Sequence, residues 1–169
     1  MPDSTLSQAI KEAYAAAPSD VIVYHTLELD HPAFDQPIYV VRDYADLNAE
    51  LEDGSPVTFL RFAFDLVKPE VSPAGVPQCQ VQIDNVDRII LTNIQAAMES
   101  TASITMTYRE YLSTDLLGPQ NDPPMVMLLS NIKADAFRIT ATASFGDLNN
   151  KRFPNEEYTA ERFPGLIVA

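Results

Sequence analysis

Tryptophan is absent, cysteine occurs once, at Cys79, glycine occurs five times, and the two histidines are His25 and His31. A single cysteine excludes an internal disulfide, and with so few histidines a zinc site of the Cys/His kind is short of ligands. Cys79 alternates with Val81 and Ile83, so a small core residue is the favoured reading over a nucleophile, which would need a positioned base. The glycines form no Gly-x-Gly-x-x-Gly phosphate loop, none precedes a Lys-Ser/Thr pair, and the nucleophile-elbow pattern is missing. The sequence therefore predicts no catalytic residue, no cofactor and no metal.

Basic residues are also scarce, with 11 Lys and Arg against 24 Asp and Glu and a formal charge of −13. That balance argues against an affinity surface for nucleic acid, which is built by neutralising phosphates with cations. Lining a channel, the same acids would repel a passing duplex within a Debye length of the wall. A solvated acidic surface serves solubility equally, and composition leaves the two open. Apolar runs such as Met125-Val126-Met127-Leu128-Leu129 fall far short of the roughly 20 residues of a membrane span. Asp3 comes early and the first cation is Lys11, so no secretory signal is readable and the chain is expected in the cytoplasm of the cell that makes it.

What is present has the composition of a folded domain: 169 residues, 46% hydrophobic and 21% charged, enough for one core. Residues 4–17 predict an amphipathic helix, with Thr5 and Gln8 at capping-box spacing, Leu6, Ile10, Ala13 and Tyr14 at helical intervals, and Pro18 as the stop. The period then becomes two. Val21, Val23, Leu27 and Leu29 fall opposite Tyr24, Thr26, Glu28 and Asp30, with Ile22 and His25 as the interruptions. Two prolines make 31–37 a loop, 38–42 a short strand follows, and Leu47, Ala49 and Leu51 form a hairpin with 57–66 around Glu52-Asp53-Gly54. Three prolines and a glycine mark 68–77 as an exposed loop. Residues 78–84 alternate as a strand, and from a cap at Asp84 or Asn85 a stripe of Val86, Ile90, Ile94, Ala97 and Met98, widened by Ile89 and Leu91, predicts a nearly buried helix. Residues 103–109 read as a strand, 111–124 as a second loop, and 125–132 with 137–145 as a hairpin around Lys133-Ala134-Asp135. From 149 onward alternation stops, and Arg-Phe-Pro occurs at 152–154 and again at 162–164. The expected fold is mainly β (α+β): a β-sandwich or barrel with a flanking helix and an N-terminal helix at 4–17, residues 1–148 forming one domain and 149–169 an extended C-terminal arm.

Carboxylate pairs for glycoside hydrolysis can be nominated at Asp30 with Asp35 or Glu156 with Glu157, but such pairs are common in an acidic chain and the solvated-surface reading is favoured. His25, on the apolar face of its strand, reads as a hydrogen-bonded structural residue, and His31, before a proline, as a turn residue. The arm concentrates Arg152, Phe153, Tyr158, Arg162 and Phe163, types enriched at interface centres. Either a neighbour covers it or it folds back on its own body.

Several segments resemble, over nearly the whole chain, a family of small uncharacterised minor tail proteins of siphophages and prophages. They include Ser7-Gln8-Ala9-Ile10-Lys11-Glu12-Ala13-Tyr14-Ala15, His31-Pro32-Ala33-Phe34, Val41-Arg42-Asp43-Tyr44 and Leu51-Glu52-Asp53-Gly54. So do Ile83-Asp84-Asn85-Val86, Tyr108-Arg109-Glu110-Tyr111-Leu112-Ser113, Gly118-Pro119-Gln120, Phe145-Gly146-Asp147-Leu148 and Phe163-Pro164-Gly165-Leu166. The resemblance implies a non-enzymatic component of the virion tail tip, distal-tail-like, with the fold of the tail tube. It implies as partners copies of itself in a three- or six-fold ring, the tail tube, the receptor-binding hub and the tape-measure protein, with DNA met only in passage and no membrane insertion. Loops 68–77 and 112–124 and the arm 149–169 are the expected subunit contacts. Two readings from other classes are a tail-tip cell-wall hydrolase, which needs a convergent cleft, and a host-glycan-binding module, which the lack of tryptophan weakens.

Overall fold

A computed structural model of the chain describes residues 6–66, 78–84, 88–100, 102–135 and 138–145. In chain order the elements are α1 (Gln8–Ala16), β1 (Val23–Asp30), β2 (Ile38–Val41), β3 (Leu47–Glu50), β4 (Pro56–Arg61) and β5 (Ala63–Leu66). They continue with β6 (Gln78–Asp84), α2 (Arg88–Met98), β7 (Thr105–Leu112), β8 (Met125–Ala134) and β9 (Arg138–Ser144). The chain is mainly β, as alternation predicted. The loop expected at 68–77 and the arm at 149–169 lie outside the described residues. Among the described residues no helix is long and apolar enough to cross a membrane.

The N-terminal helix begins later than the Thr5–Gln8 spacing suggested. Ser7 is its cap, its hydroxyl accepting from the Ile10 N–H, because a hydroxyl in extended backbone reaches the otherwise orphaned amides of the first turn. At the other end Ala17 adopts left-handed backbone at φ 43° and donates its N–H to the Ala13 carbonyl, after which Pro18 stops the helix.

The strands form one mixed sheet in the order β3-β4-β2-β1-β7-β8-β9-β6-β5. All neighbours are antiparallel except β2 and β4. The run 57–66, read as a single strand, is two: β4 pairs with β2, β5 pairs with β6, and Phe62 lies between them with its N–H on the Val41 carbonyl. Strands near opposite ends of the hydrogen-bonded order are thus separated by one residue, so the sheet must curl back on itself.

That curl gives β1 and β7 an inner and an outer face. They pair along their whole length, from Val23 opposite Leu112 to Asp30 opposite Thr105. On the inner face Leu27, Leu29, Met106 and Tyr108 join a core with Val81, Ile83, Met127, Leu129 and Ile139. Ile90, Ile94 and Ala97 of the expected stripe enter this core and Leu91 is half-buried, while Val86 lies outside the described residues. Cys79 is buried there, 3.9 Å from the Met127 sulfur. On the outer face the β3–β4 hairpin lays Leu47, Ala49 and Phe59 against Val41 and Tyr111 as a second cluster.

Boundaries also differ from expectation in β7 and β8. β8 runs on to Ala134 through a register shift between Ser130 and Lys133, where Asn131 takes φ 51°, a conformation asparagine tolerates. More consequentially, β7 does not end at Arg109 but continues through Leu112, because β1 pairs with it to the last residue.

Candidate functional site

The extra length of β7 places two charged residues in its middle, and both are buried. Side chains alternate between faces along a strand, so Arg109 faces outward under the hairpin and Glu110 inward beneath α1. Each is surrounded by its own set of partners.

On the outer face Arg109 Nη1 lies 2.6 Å from Glu28 Oε2, and its Nε and Nη2 lie 2.6 and 3.2 Å from the two oxygens of Glu52. Glu28 comes from β1 and Glu52 from the turn of the β3–β4 hairpin, so one guanidinium ties the hairpin to the sheet. Its planar fork suits this two-sided arrangement. Burial opposes its charge, yet the hydrogen bonds it donates to Glu52 and Glu28 hold its pKa above the ordinary value. Alongside, the Tyr111 hydroxyl donates to the Glu50 carbonyl at 2.9 Å and its ring tilts against Phe59.

On the inner face Glu110 Oε1 accepts from the Tyr14 hydroxyl at 3.0 Å and from the Tyr108 hydroxyl. His25 Nδ1 lies 2.7 Å from the Tyr108 oxygen and 3.6 Å from Glu110 Oε1. Burial, then the Glu110 charge, pushes both tyrosine hydroxyls well above their usual range. Both phenols therefore stay protonated as donors, which is what a buried carboxylate requires.

The backbone around Glu110 is closed by the following loop. β8 leaves β7 at the Tyr108–Met125 pair, which would strand the next amide and carbonyl groups on that edge. Asn121 fills the place of a strand: its Oδ1 accepts from the Glu110 N–H at 2.9 Å and its Nδ2 donates to the Tyr108 carbonyl at 3.1 Å, while the Gln120 N–H donates to the Glu110 carbonyl at 2.7 Å. Gln120 in turn accepts from the Ser7 backbone N–H and hydroxyl. The N-terminus of α1, loop 113–124 and β7 are thereby one hydrogen-bonded unit.

The nominated residues are scattered. His25 belongs to the Glu110 cluster. His31 is buried in a turn, its Nδ1 accepting from the Ala33 N–H and its Nε2 lying 3.3 Å from the Ala102 carbonyl oxygen. Asp30 and Asp35 both face solvent, and Glu156 and Glu157 lie outside the described residues. Arg109, Glu110, Gln120 and Asn121 were not singled out from sequence. The available signal was Tyr108-Arg109-Glu110-Tyr111 itself: large residues at every position of a continuing strand need cover on both faces.

Clefts lie elsewhere. One of about 410 Å³ is lined by Pro37, Tyr39, Val57, Leu60 and Phe62 with Ile90 and Asn93 of α2, and one of about 400 Å³ by Arg42, Asp43, Tyr44, Phe62, Phe64, Asp65 and Asp84. The Glu110 cluster reaches solvent through His25, whose side chain is 32% exposed, and through the half-exposed Tyr14, and its geometry is that of a clasp holding α1 to the sheet.

No curated protein matches the chain in sequence. The family described as "Domain of unknown function (DUF1833)" matches residues 9–158, from α1 to beyond β9. The chain belongs to that family.

Proposed function

We propose that this chain is a structural ring protein of a bacteriophage tail tip, three-fold or six-fold about the tail axis, joining the tail tube to the receptor-binding hub around the DNA channel. One observation carries the reading: large apolar side chains stand in water at separate places. Tyr44 is 95% exposed and Leu117 75%, both on loops, and Val126 and Leu128 face outward from β8. Apolar area presented in several directions suits a protomer with neighbours on more than one side.

The curled sheet with α2 against its core supports a barrel of the tail-tube type, and the resemblance of the sequence supports a place in the virion. The contact loop narrows. Gln120 and Asn121 are committed to β7, so within 112–124 the tip around Leu117 is the part free to meet a neighbour. The charge of −13 supports an acidic lumen that DNA passes without adhering.

The deciding measurement is the mass of the purified chain, alone and mixed with tail-tip partners, followed by imaging of particles with this chain labelled. Closed oligomers at the tip are expected. A monomer under both conditions overturns the proposal.

A further inference from the structure

We infer that Tyr108 holds His25 as the Nδ1–H form, with Nε2 bare and open to water, and that His25, a residue of β1, thereby helps to hold α1 through Tyr108 and Glu110. The β1–β7 register sets His25 opposite Glu110, with Tyr108 two residues along the strand. The His25 and Tyr108 rings stack, their planes 16° apart and their centroids 6.1 Å apart, which brings Nδ1 to 2.7 Å from the phenol oxygen. Nδ1 is 3.6 Å from Glu110 Oε1, beyond a hydrogen bond. The route from the ring to the carboxylate therefore passes through Tyr108.

Counting hydrogens assigns each group its role. A phenol has one hydrogen to give, and Tyr108 gives it to Glu110 Oε1, which also accepts from the Tyr14 hydroxyl. The Tyr108 oxygen is then an acceptor towards His25, so the hydrogen between those two residues belongs to Nδ1. Turning the Tyr108 hydrogen to His25 instead would leave a phenol oxygen and a carboxylate oxygen in contact with nothing between them, a costly arrangement for a buried charge. A neutral imidazole carries a single N–H, which leaves Nε2 bare. Among the described residues no protein group pairs with Nε2, and it is not buried; it lies at the accessible edge of a side chain that is 32% exposed.

The three groups form a chain of donors pointing one way, from β1 to β7 and on to the carboxylate that receives Tyr14 of α1. Donation into the Tyr108 oxygen polarises its O–H and strengthens the bond that it makes to Glu110. His25 is thus a positioning residue for α1, with which it shares no hydrogen bond of its own. A histidine that only filled space would leave its own tautomer to the preference of the free ring, which is Nε2–H.

The test uses the full-length chain, labelled with 15N and read in mildly alkaline buffer by long-range 1H–15N spectra of the imidazole rings. His25 should show Nδ1–H and a bare Nε2, whereas His31, whose Nδ1 accepts from the Ala33 N–H, should show a bare Nδ1. Tyr108→Phe should return His25 to mainly Nε2–H and leave His31 as it was. His25→Leu, which also identifies the ring by the peaks it removes, should speed amide exchange in α1 by about 2- to 10-fold, the worth of one hydrogen bond, with β9 unchanged. An Nε2–H ring in the parent overturns the inference whether or not the variants fold. So does an Nδ1–H ring that survives Tyr108→Phe, or α1 exchange that His25→Leu does not move in a chain with native circular dichroism.

Discussion

Arg109 and Glu110 are consecutive in β7 and buried on opposite sides of the same sheet, each at the centre of its own polar cluster. At this point of β7 the hairpin covers the outer face and α1 the inner one, so two adjacent charges can persist there only if each face supplies counter-groups. The outer face supplies Glu28 and Glu52, and the inner face supplies Tyr14, Tyr108 and His25. The hairpin and α1 are therefore held to the sheet from opposite sides by neighbouring residues.

Replacing Arg109 with methionine should leave Glu28 and Glu52 facing each other without a cation. Loss of one partner of a buried pair costs about 3–5 kcal/mol, and with Glu52 one-third exposed we expect about 2–4 kcal/mol. Urea unfolding measures this, and Glu52→Gln, at the wetter end, should cost less than Arg109→Met.

Tyr14→Phe removes the hydroxyl that α1 sends to Glu110. A hydrogen bond to a charged acceptor contributes about 1.5–3 kcal/mol, and the partial exposure of Tyr14 places this one near the lower figure. Amide exchange should rise in α1 while β8 and β9 keep their protection. A double-mutant cycle with Glu110→Gln should show coupling between the two positions, and strict additivity would contradict the clasp.

Alkaline pH should unfold the protein through its tyrosines. Burial raises the hydroxyls of Tyr14, Tyr108 and Tyr111 above the ordinary value of 10.0, helped at the first two by Glu110 and opposed at Tyr111 by Arg109. The unfolded chain releases these protons near pH 10 while the folded chain keeps them. Their contribution is thus complete below pH 10 and declines as pH rises beyond it. Urea midpoints should fall through that range, and the share of tyrosinate absorbance lost by Phe substitution at Tyr14, Tyr108 and Tyr111 should rise with unfolding rather than before it. Early ionisation of all seven tyrosines with the fold intact would refute the burial argument.

Ala17→Gly should stabilise the chain. Its φ of 43° is costly for a residue with a Cβ and nearly free for glycine, and the gain, less the extra entropy of the unfolded chain, is about 0.5–1 kcal/mol. Thermal unfolding measures it, and the same change at Ala16, inside α1, should destabilise instead.

Sequence alone determined the parts whose information is local. Gln78–Asp84 was bounded correctly because its alternation is unbroken, and Ile90, Ile94 and Ala97 were identified as a buried stripe by their helical spacing. Cys79 was placed in the core by its neighbours. Tertiary structure decided what lay on the second face of each strand. Arg109 and Glu110 look like solvated charges until β1 and β7 pair to their ends and α1 and the hairpin cover them from either side. Likewise, 57–66 looks like one strand until its halves pair with β2 and β6. Periodicity records which side of an element is apolar, but a buried polar side is defined by groups brought from distant parts of the chain, and only the folded sheet brings Glu52 to Arg109 and Tyr14 to Glu110.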